Sequence, residues 1–140
     1  MTSITGVHTL DQSISTLHEW LSDLNSELGF GDMEEAYVAM RAVLIALRDR
    51  LTVDEAADFA AQLPMLLQGV FYHGYKPGNK PIKMKTSHEF VNYVTKNLTR
   101  HIDPLKVIHA VFAVFKNKMT EGQISGLSNI LPADITSLWQ

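Results

Sequence analysis

The stretch from Met40 to Phe71 reads MRAVLIALRDRLTVDEAADFAAQLPMLLQGVF, and the stretch from Ile108 to Trp139 reads IHAVFAVFKNKMTEGQISGLSNILPADITSLW. At an offset of 68 residues the two stretches align without gaps, and positions that differ keep their character. This pattern predicts a duplicated unit. The identical positions are Ala42-Val43 with Ala110-Val111, Thr52 with Thr120, and Leu63-Pro64 with Leu131-Pro132.

The similarity continues upstream at an offset of 70, where His18-Glu19-Trp20-Leu21 aligns with His88-Glu89-Phe90-Val91. A two-residue difference in one loop reconciles the two offsets. We therefore expect one domain over residues 1–140 with an internal duplication. A first unit spans 9–73, a linker rich in Lys, Gly and Pro spans 74–86, and a second unit spans 87–140.

Both units have helical periodicity. Ile14, Leu17, Leu21, Leu24 and Leu28 alternate spacings of three and four, which places them on one helix face. The second helix of each unit has a wider apolar stripe, which indicates burial on more than one side. No stretch alternates with a period of two. The fold prediction is all-α, with eight helices in two four-helix units that form one compact bundle.

Helix starts carry their own signals. An acid or amide that follows a capping residue by three positions is typical of a capping box. Asp103 before Pro104 is a further N-cap signal. Proline has no backbone N–H, and at the first position of a helix that N–H would have no partner within the helix. Pro64 and Pro132 should start a short fourth helix or kink the third. The predicted boxes are Asp32 with Glu35, Thr52 with Glu55, Thr86 with Glu89, and Thr120 with Gln123.

Composition excludes several classes of site. The chain has 140 residues, 46% of them hydrophobic, a net charge of -3 and no cysteine. Disulfides, thiolate metal sites, iron–sulfur clusters and cysteine nucleophiles are therefore excluded. We see no secretory signal and no apolar run near the ~20 residues of a membrane helix. These features predict a soluble cytoplasmic protein.

Histidines and acids give no convincing catalytic or metal site. His18-Glu19 and His88-Glu89 begin a zinc-protease pattern, but Ser22 and Asn92 stand where the second histidine should be. A zinc site would require distant histidines to meet in space. The acids cluster in first helical turns, where capping explains them. We expect no metal, no cofactor and no enzymatic activity. The six histidines are His8, His18, His73, His88, His101 and His109.

Charge is divided unevenly between the halves. Residues 1–70 carry 11 acids and 3 bases, and residues 71–140 carry 4 acids and 9 bases. The basic half favours either attraction between opposite halves, within or between chains, or an anionic partner such as nucleic acid. Aromatic residues near these bases could stack on nucleic-acid bases, anchor a protein partner between the units, or cap the core. The candidate contact residues are Tyr72, Tyr75, Lys76, Lys80, Lys83, Lys85, Arg100 and Trp139.

Three short motifs resemble a known family. They are Glu55-Ala56, Ala61-Gln62-Leu63-Pro64 and Tyr72-x-Gly74-Tyr75-x-Pro77, and they are similar to those of the bacterial domain of unknown function 2267. The resemblance covers nearly the whole chain. It implies a helical bacterial module, suggests a stress context, and carries no agreed activity or site.

From the residues we expect a non-catalytic module that binds a protein, either another protein or a second copy of this chain. The resemblance implies that it acts in bacterial regulation or stress physiology. The alternative is a binder of an anionic ligand or nucleic acid through the linker and second unit. We expect no membrane contact.

Overall fold

A computed structural model describes residues 3–99 and 102–140, and this part of the chain forms eight α-helices and no strand. The prediction of an all-α bundle of eight helices is confirmed. None of the described helices has the length and apolar character needed to cross a membrane. The helices are α1 (His8–Leu28), α2 (Met33–Arg50), α3 (Val53–Ala60), α4 (Met65–Tyr72), α5 (Ser87–Thr95), α6 (Pro104–Lys118), α7 (Glu121–Ile130) and α8 (Ala133–Thr136).

Helices α2 and α6 form the centre of the bundle. Helix α2 packs against α1, α4, α5 and α6, and α6 also packs against α1, α5 and α7. Every residue from Ala42 to Asp49 is buried. This explains the wide apolar stripe of the second helix, because α2 faces neighbours on several sides.

The core contains a row of aromatic rings that runs through both sequence halves. Phe112 contacts Phe115, Phe115 contacts Phe59, and Phe59 contacts Phe71, with centroids 5.0, 5.9 and 5.6 Å apart. Tilted and edge-on pairs of this kind contribute about 0.5–1.5 kcal/mol each beyond the area that they bury. The row joins α3, α4 and α6 into one core.

Capping boxes form at three of the four predicted sites. The Thr52, Thr86 and Thr120 hydroxyls accept the N–H three residues ahead, and each facing side chain accepts the threonine N–H in return. The predicted box of Asp32 with Glu35 is wrong. The short Asp32 side chain instead accepts the Glu34 N–H at 3.0 Å, and the Glu35 carboxylate accepts a hydrogen bond from the Thr99 hydroxyl.

The prolines act as helix starts. Pro104 is the first residue of α6, behind the capping carboxylate of Asp103. Pro64 and Pro132 immediately precede α4 and α8, so each starts a short fourth helix rather than kinking the third.

Two differences between the units stand out. Helix α1 has 21 residues, whereas α5, its counterpart in the alignment, has nine. Between α4 and α5 the only regular element is the 3-10 turn Pro77–Asn79. The helix bounds are compatible with units at 9–73 and 87–140, although α1 begins one residue earlier, and the duplication itself stays a prediction.

Candidate functional site

The buried end of α2 carries a pair of opposite charges. Arg48 is 6% exposed and Asp49 is 3% exposed. The Arg48 Nε lies 2.7 Å from Asp49 Oδ1, and Nη2 lies 3.2 Å from Oδ2. Arg48 Nη1 donates to the carbonyls of Phe71 and His73, where α4 ends. Buried charges need such complete pairing, because an unpaired ion in the interior is strongly unfavourable.

A tyrosine of the second unit completes this cluster. The Tyr93 hydroxyl on α5 donates to Asp49 Oδ2 at 2.6 Å. Burial, followed by this hydrogen bond to Asp49, raises the pKa of Tyr93 to about 12. The phenol therefore keeps its proton and remains a donor at neutral pH. We call Arg48, Asp49 and Tyr93 the charge cluster; it ties α2, α4 and α5 together.

The linker, residues 74–86, is held against the charge cluster, and we call it the strap. The Ile82 N–H donates to the Asp49 carbonyl at 2.6 Å, and the Arg50 Nε donates to the Met84 carbonyl at 2.6 Å. The Lys80 Nζ lies 3.9 Å from Asp49 Oδ1, with its side chain 7% exposed. The second half of the strap is therefore fixed to the end of α2, through Lys80, Ile82 and Met84.

Side chains alternate along the second half of the strap. Ile82 packs against the core and Met84 is buried, whereas Lys83 and Lys85 are exposed. Lys76, near the start of the strap, is exposed as well. None of these three ammonium groups forms an ion pair within the described residues. Three of the predicted contact lysines thus face the solvent, and together we call them the basic edge, whereas Lys80 faces inward.

Of the two predicted tyrosines, Tyr72 precedes the strap and Tyr75 belongs to it. Tyr72 is at the end of α4, with its ring 5.5 Å from that of Tyr75. The Arg48 guanidinium and the Lys80 ammonium lie 5.4 and 5.8 Å from the Tyr75 ring centroid. The Tyr75 hydroxyl is buried and has no hydrogen-bond partner among the described residues, and burial raises the pKa of Tyr75. The Tyr75 ring therefore already makes cation–π contacts with two side chains of its own chain.

Trp139 lies elsewhere. It is 2% exposed and stacks on Phe112 with centroids 3.7 Å apart, and its indole N–H has no hydrogen-bond partner in the described part of the chain. It contacts neither Tyr72 nor Tyr75 among the aromatic pairs of the described chain. A groove anchored jointly by these three rings is not formed, because the tryptophan fills the core instead. The core-capping alternative describes Trp139 correctly.

Arg100, the remaining candidate, lies outside the described residues. So does His101, whereas the other five histidines are exposed. The described residues contain no group of three side chains that could hold a metal ion.

Sequence reasoning missed Arg48, Asp49 and Tyr93. A signal was available in the duplication, because the offset of 68 aligns Asp49 with the neutral Asn117. An acid that closely follows the apolar run 42–47, with no acid at the matching position of the other unit, indicates a specific partner. The site is thus a set of exposed lysines beside a buried charge cluster.

Two comparisons with known proteins bear on identity. A comparison with curated proteins gave no match. A family model described as "Uncharacterized conserved protein (DUF2267)" matches residues 17–138, which include the whole strap and the charge cluster. The match covers most of the chain, as the motifs at Glu55, Ala61–Pro64 and Tyr72–Pro77 predict. The chain therefore belongs to the DUF2267 family of uncharacterized conserved proteins.

Proposed function

We propose that this protein is a non-catalytic interaction module whose strap binds an acidic segment of a partner protein. One observation carries the proposal: Lys76, Lys83 and Lys85 are exposed and form no ion pair within the described residues, and the second half of their segment is fixed to α2. Fixed backbone reduces the conformational entropy that binding would otherwise remove. As part of the same proposal, the module acts in the bacterial cytoplasm, in regulation.

The geometry favours a protein partner over nucleic acid. Stacking on bases requires free aromatic faces, but the Tyr75 ring contacts Arg48 and Lys80, so of the two neighbouring tyrosines only Tyr72 is exposed to a base. The acidic first half adds a net charge of -8 within the same compact bundle. The negative charge of the first half would repel a long polyanion, whereas a short acidic segment can contact the basic edge without reaching that half.

The test compares two anionic probes. A fluorescein-labelled amphipathic peptide of Leu and Glu and a labelled single-stranded DNA oligonucleotide are titrated by anisotropy near physiological ionic strength. We expect the wild-type protein to bind the peptide more tightly than the DNA. The triple variant Lys76→Ala, Lys83→Ala, Lys85→Ala should weaken peptide binding about tenfold or more, since complementary charges there are lost.

A charge-matched control separates the edge from net charge. The variant Thr9→Glu, Gln12→Glu, Ser15→Glu lowers the net charge by the same three units on the exposed start of α1. It should bind the peptide like the wild type. Equal loss in both triple variants would refute a localised site. Tighter binding of DNA would replace the proposal by the nucleic-acid alternative, and no binding of either probe would reject the strap as an anion-binding surface.

A further inference from the structure

A groove between α3 and α7 is separate from the strap. It encloses about 250 Å³, and its lining residues come from the two sequence halves. Most of them fall into pairs 68 residues apart, such as Asp58 with Gly126 and Phe59 with Leu127. Equivalent positions of the aligned stretches thus face one another across the groove. The groove predicted from the sequence, with Tyr72, Tyr75 and Trp139 as anchors, is a different one, since none of these three residues lines the α3–α7 groove.

The floor of the groove is apolar and its rim is acidic. Phe59 and Leu127 form the buried floor, and Ile130 beside them is 38% exposed. Glu55 and Asp58 lie at the rim, and no basic residue lines the groove. The Glu55 carboxylate accepts the Thr52 N–H, whereas the Asp58 carboxylate has no hydrogen-bond or ion-pair partner among the described residues. The groove therefore offers a hydrophobic contact bordered by negative charge.

Two glycines leave the α7 side of the groove without side chains at their positions. Gly122 and Gly126 are one helical turn apart on the groove side. A Cβ built on Gly126 meets nothing within 4 Å, and one built on Gly122 meets only the Thr120 hydroxyl at 3.9 Å. Internal packing therefore does not require glycine, although each glycine in a helix costs about 0.5–1 kcal/mol relative to alanine. The open wall lets another backbone approach α7 closely.

We infer that the α3–α7 groove is a docking site for a basic amphipathic helix of a partner protein. The groove is smaller than the ~300–1,000 Å³ of typical small-molecule pockets, so it suits one or two apolar side chains of a helix. Lysines or arginines flanking those side chains would meet Glu55 and Asp58. This charge complementarity selects a basic occupant. The inference does not depend on the strap, which takes a partner of the opposite charge.

The test fills the groove without changing charge. Gly126→Leu places a side chain in the groove, and Gly69→Leu makes the same change on α4, where a built Cβ also meets nothing within 4 Å. The probe is a fluorescein-labelled amphipathic helical peptide of Leu and Lys, titrated by anisotropy. We expect Gly126→Leu to weaken its binding about tenfold or more and Gly69→Leu to leave the affinity unchanged. Circular dichroism should show both variants folded.

Further variants distinguish the groove from general electrostatic attraction. Asp58→Asn should weaken the Leu/Lys peptide several-fold and reduce the salt dependence of its binding. The triple lysine variant of the strap should retain this peptide, and Gly126→Leu should retain the Leu/Glu peptide. Failure of the wild type to bind the Leu/Lys peptide, or equal affinity in Gly126→Leu and Gly69→Leu, would overturn the inference. Self-association that Gly126→Leu abolishes would also overturn it, since the occupant would then be a second copy.

Discussion

Asp49→Asn tests whether the charge cluster holds the strap and the two units together. The amide has nearly the shape of the carboxylate but carries no charge, and its NH₂ group cannot accept a hydrogen bond. The variant therefore loses the ion pair with Arg48, leaves Lys80 without its nearby carboxylate, and weakens the bond from Tyr93. The backbone hydrogen bond of Ile82 to residue 49 should persist.

The expected loss follows from burial. Removing one partner of a buried ion pair costs about 3–5 kcal/mol, because the remaining charge stays in the interior without compensation. The weakened Tyr93 bond overlaps with this figure and is not added to it, because contributions within one network are not independent. A loss of this size should lower the thermal midpoint by roughly 10–15 °C for a chain of this length. Domains of this size have about 5–15 kcal/mol of stability in total.

Urea unfolding followed by the fluorescence of Trp20 and Trp139 measures this loss. Asp58→Asn is the matched control, since Asp58 is exposed and makes no hydrogen bond within the described chain, and it should change stability by less than ~0.5 kcal/mol. If Asp49→Asn lowered the free energy of unfolding by less than about 1 kcal/mol, the role given to the charge cluster would be contradicted, because exposed ion pairs contribute amounts of that size.

Three further results are expected. Below pH 10 the protonated Tyr93 phenol makes its full contribution to the free energy of unfolding. Because the pKa of Tyr93 is raised to about 12, that contribution is lost as the pH rises from 10 to 12. The difference in urea midpoint between wild type and Tyr93→Phe should therefore shrink over that interval; a constant difference would refute the assignment. Thr120→Ala removes one capping box and should cost about 1 kcal/mol, read from the thermal midpoint. Phe115→Ala should cost about 3–5 kcal/mol in urea unfolding, because Phe115 contacts three other rings in the core; a loss under 1 kcal/mol would contradict that packing.

The fold was largely predictable because its signals are local. The threonine capping boxes and the prolines mark helix starts within three residues of themselves, and periodicity identifies the buried faces. The Asp32 prediction failed for a physical reason. Its side chain is short and reaches the N–H two positions ahead, while Glu35 bonds to Thr99 in the other sequence half.

The candidate site was only partly predictable because its decisive contacts are distant in sequence. The polar sequence of the linker predicts exposed lysines, and three of them are exposed: Lys76, Lys83 and Lys85. No local pattern shows that Lys80 turns inward, since that depends on Asp49, which lies on a helix far upstream. Trp139 was ambiguous for the same reason, because its stacking on Phe112 depends on tertiary packing.

The attachment of the strap has a consequence for proteolysis. Lys76 and Lys80 each precede a proline, and trypsin does not cleave such bonds. Lys83 and Lys85 are followed by Met84 and Thr86, so trypsin can separate the two sequence halves there once the backbone leaves α2. Because cleavage of a native protein follows the population of its locally opened form, the cutting rate at these bonds reports how often the strap detaches. The rate of limited digestion at these two bonds would thus measure how often the strap opens in the native protein.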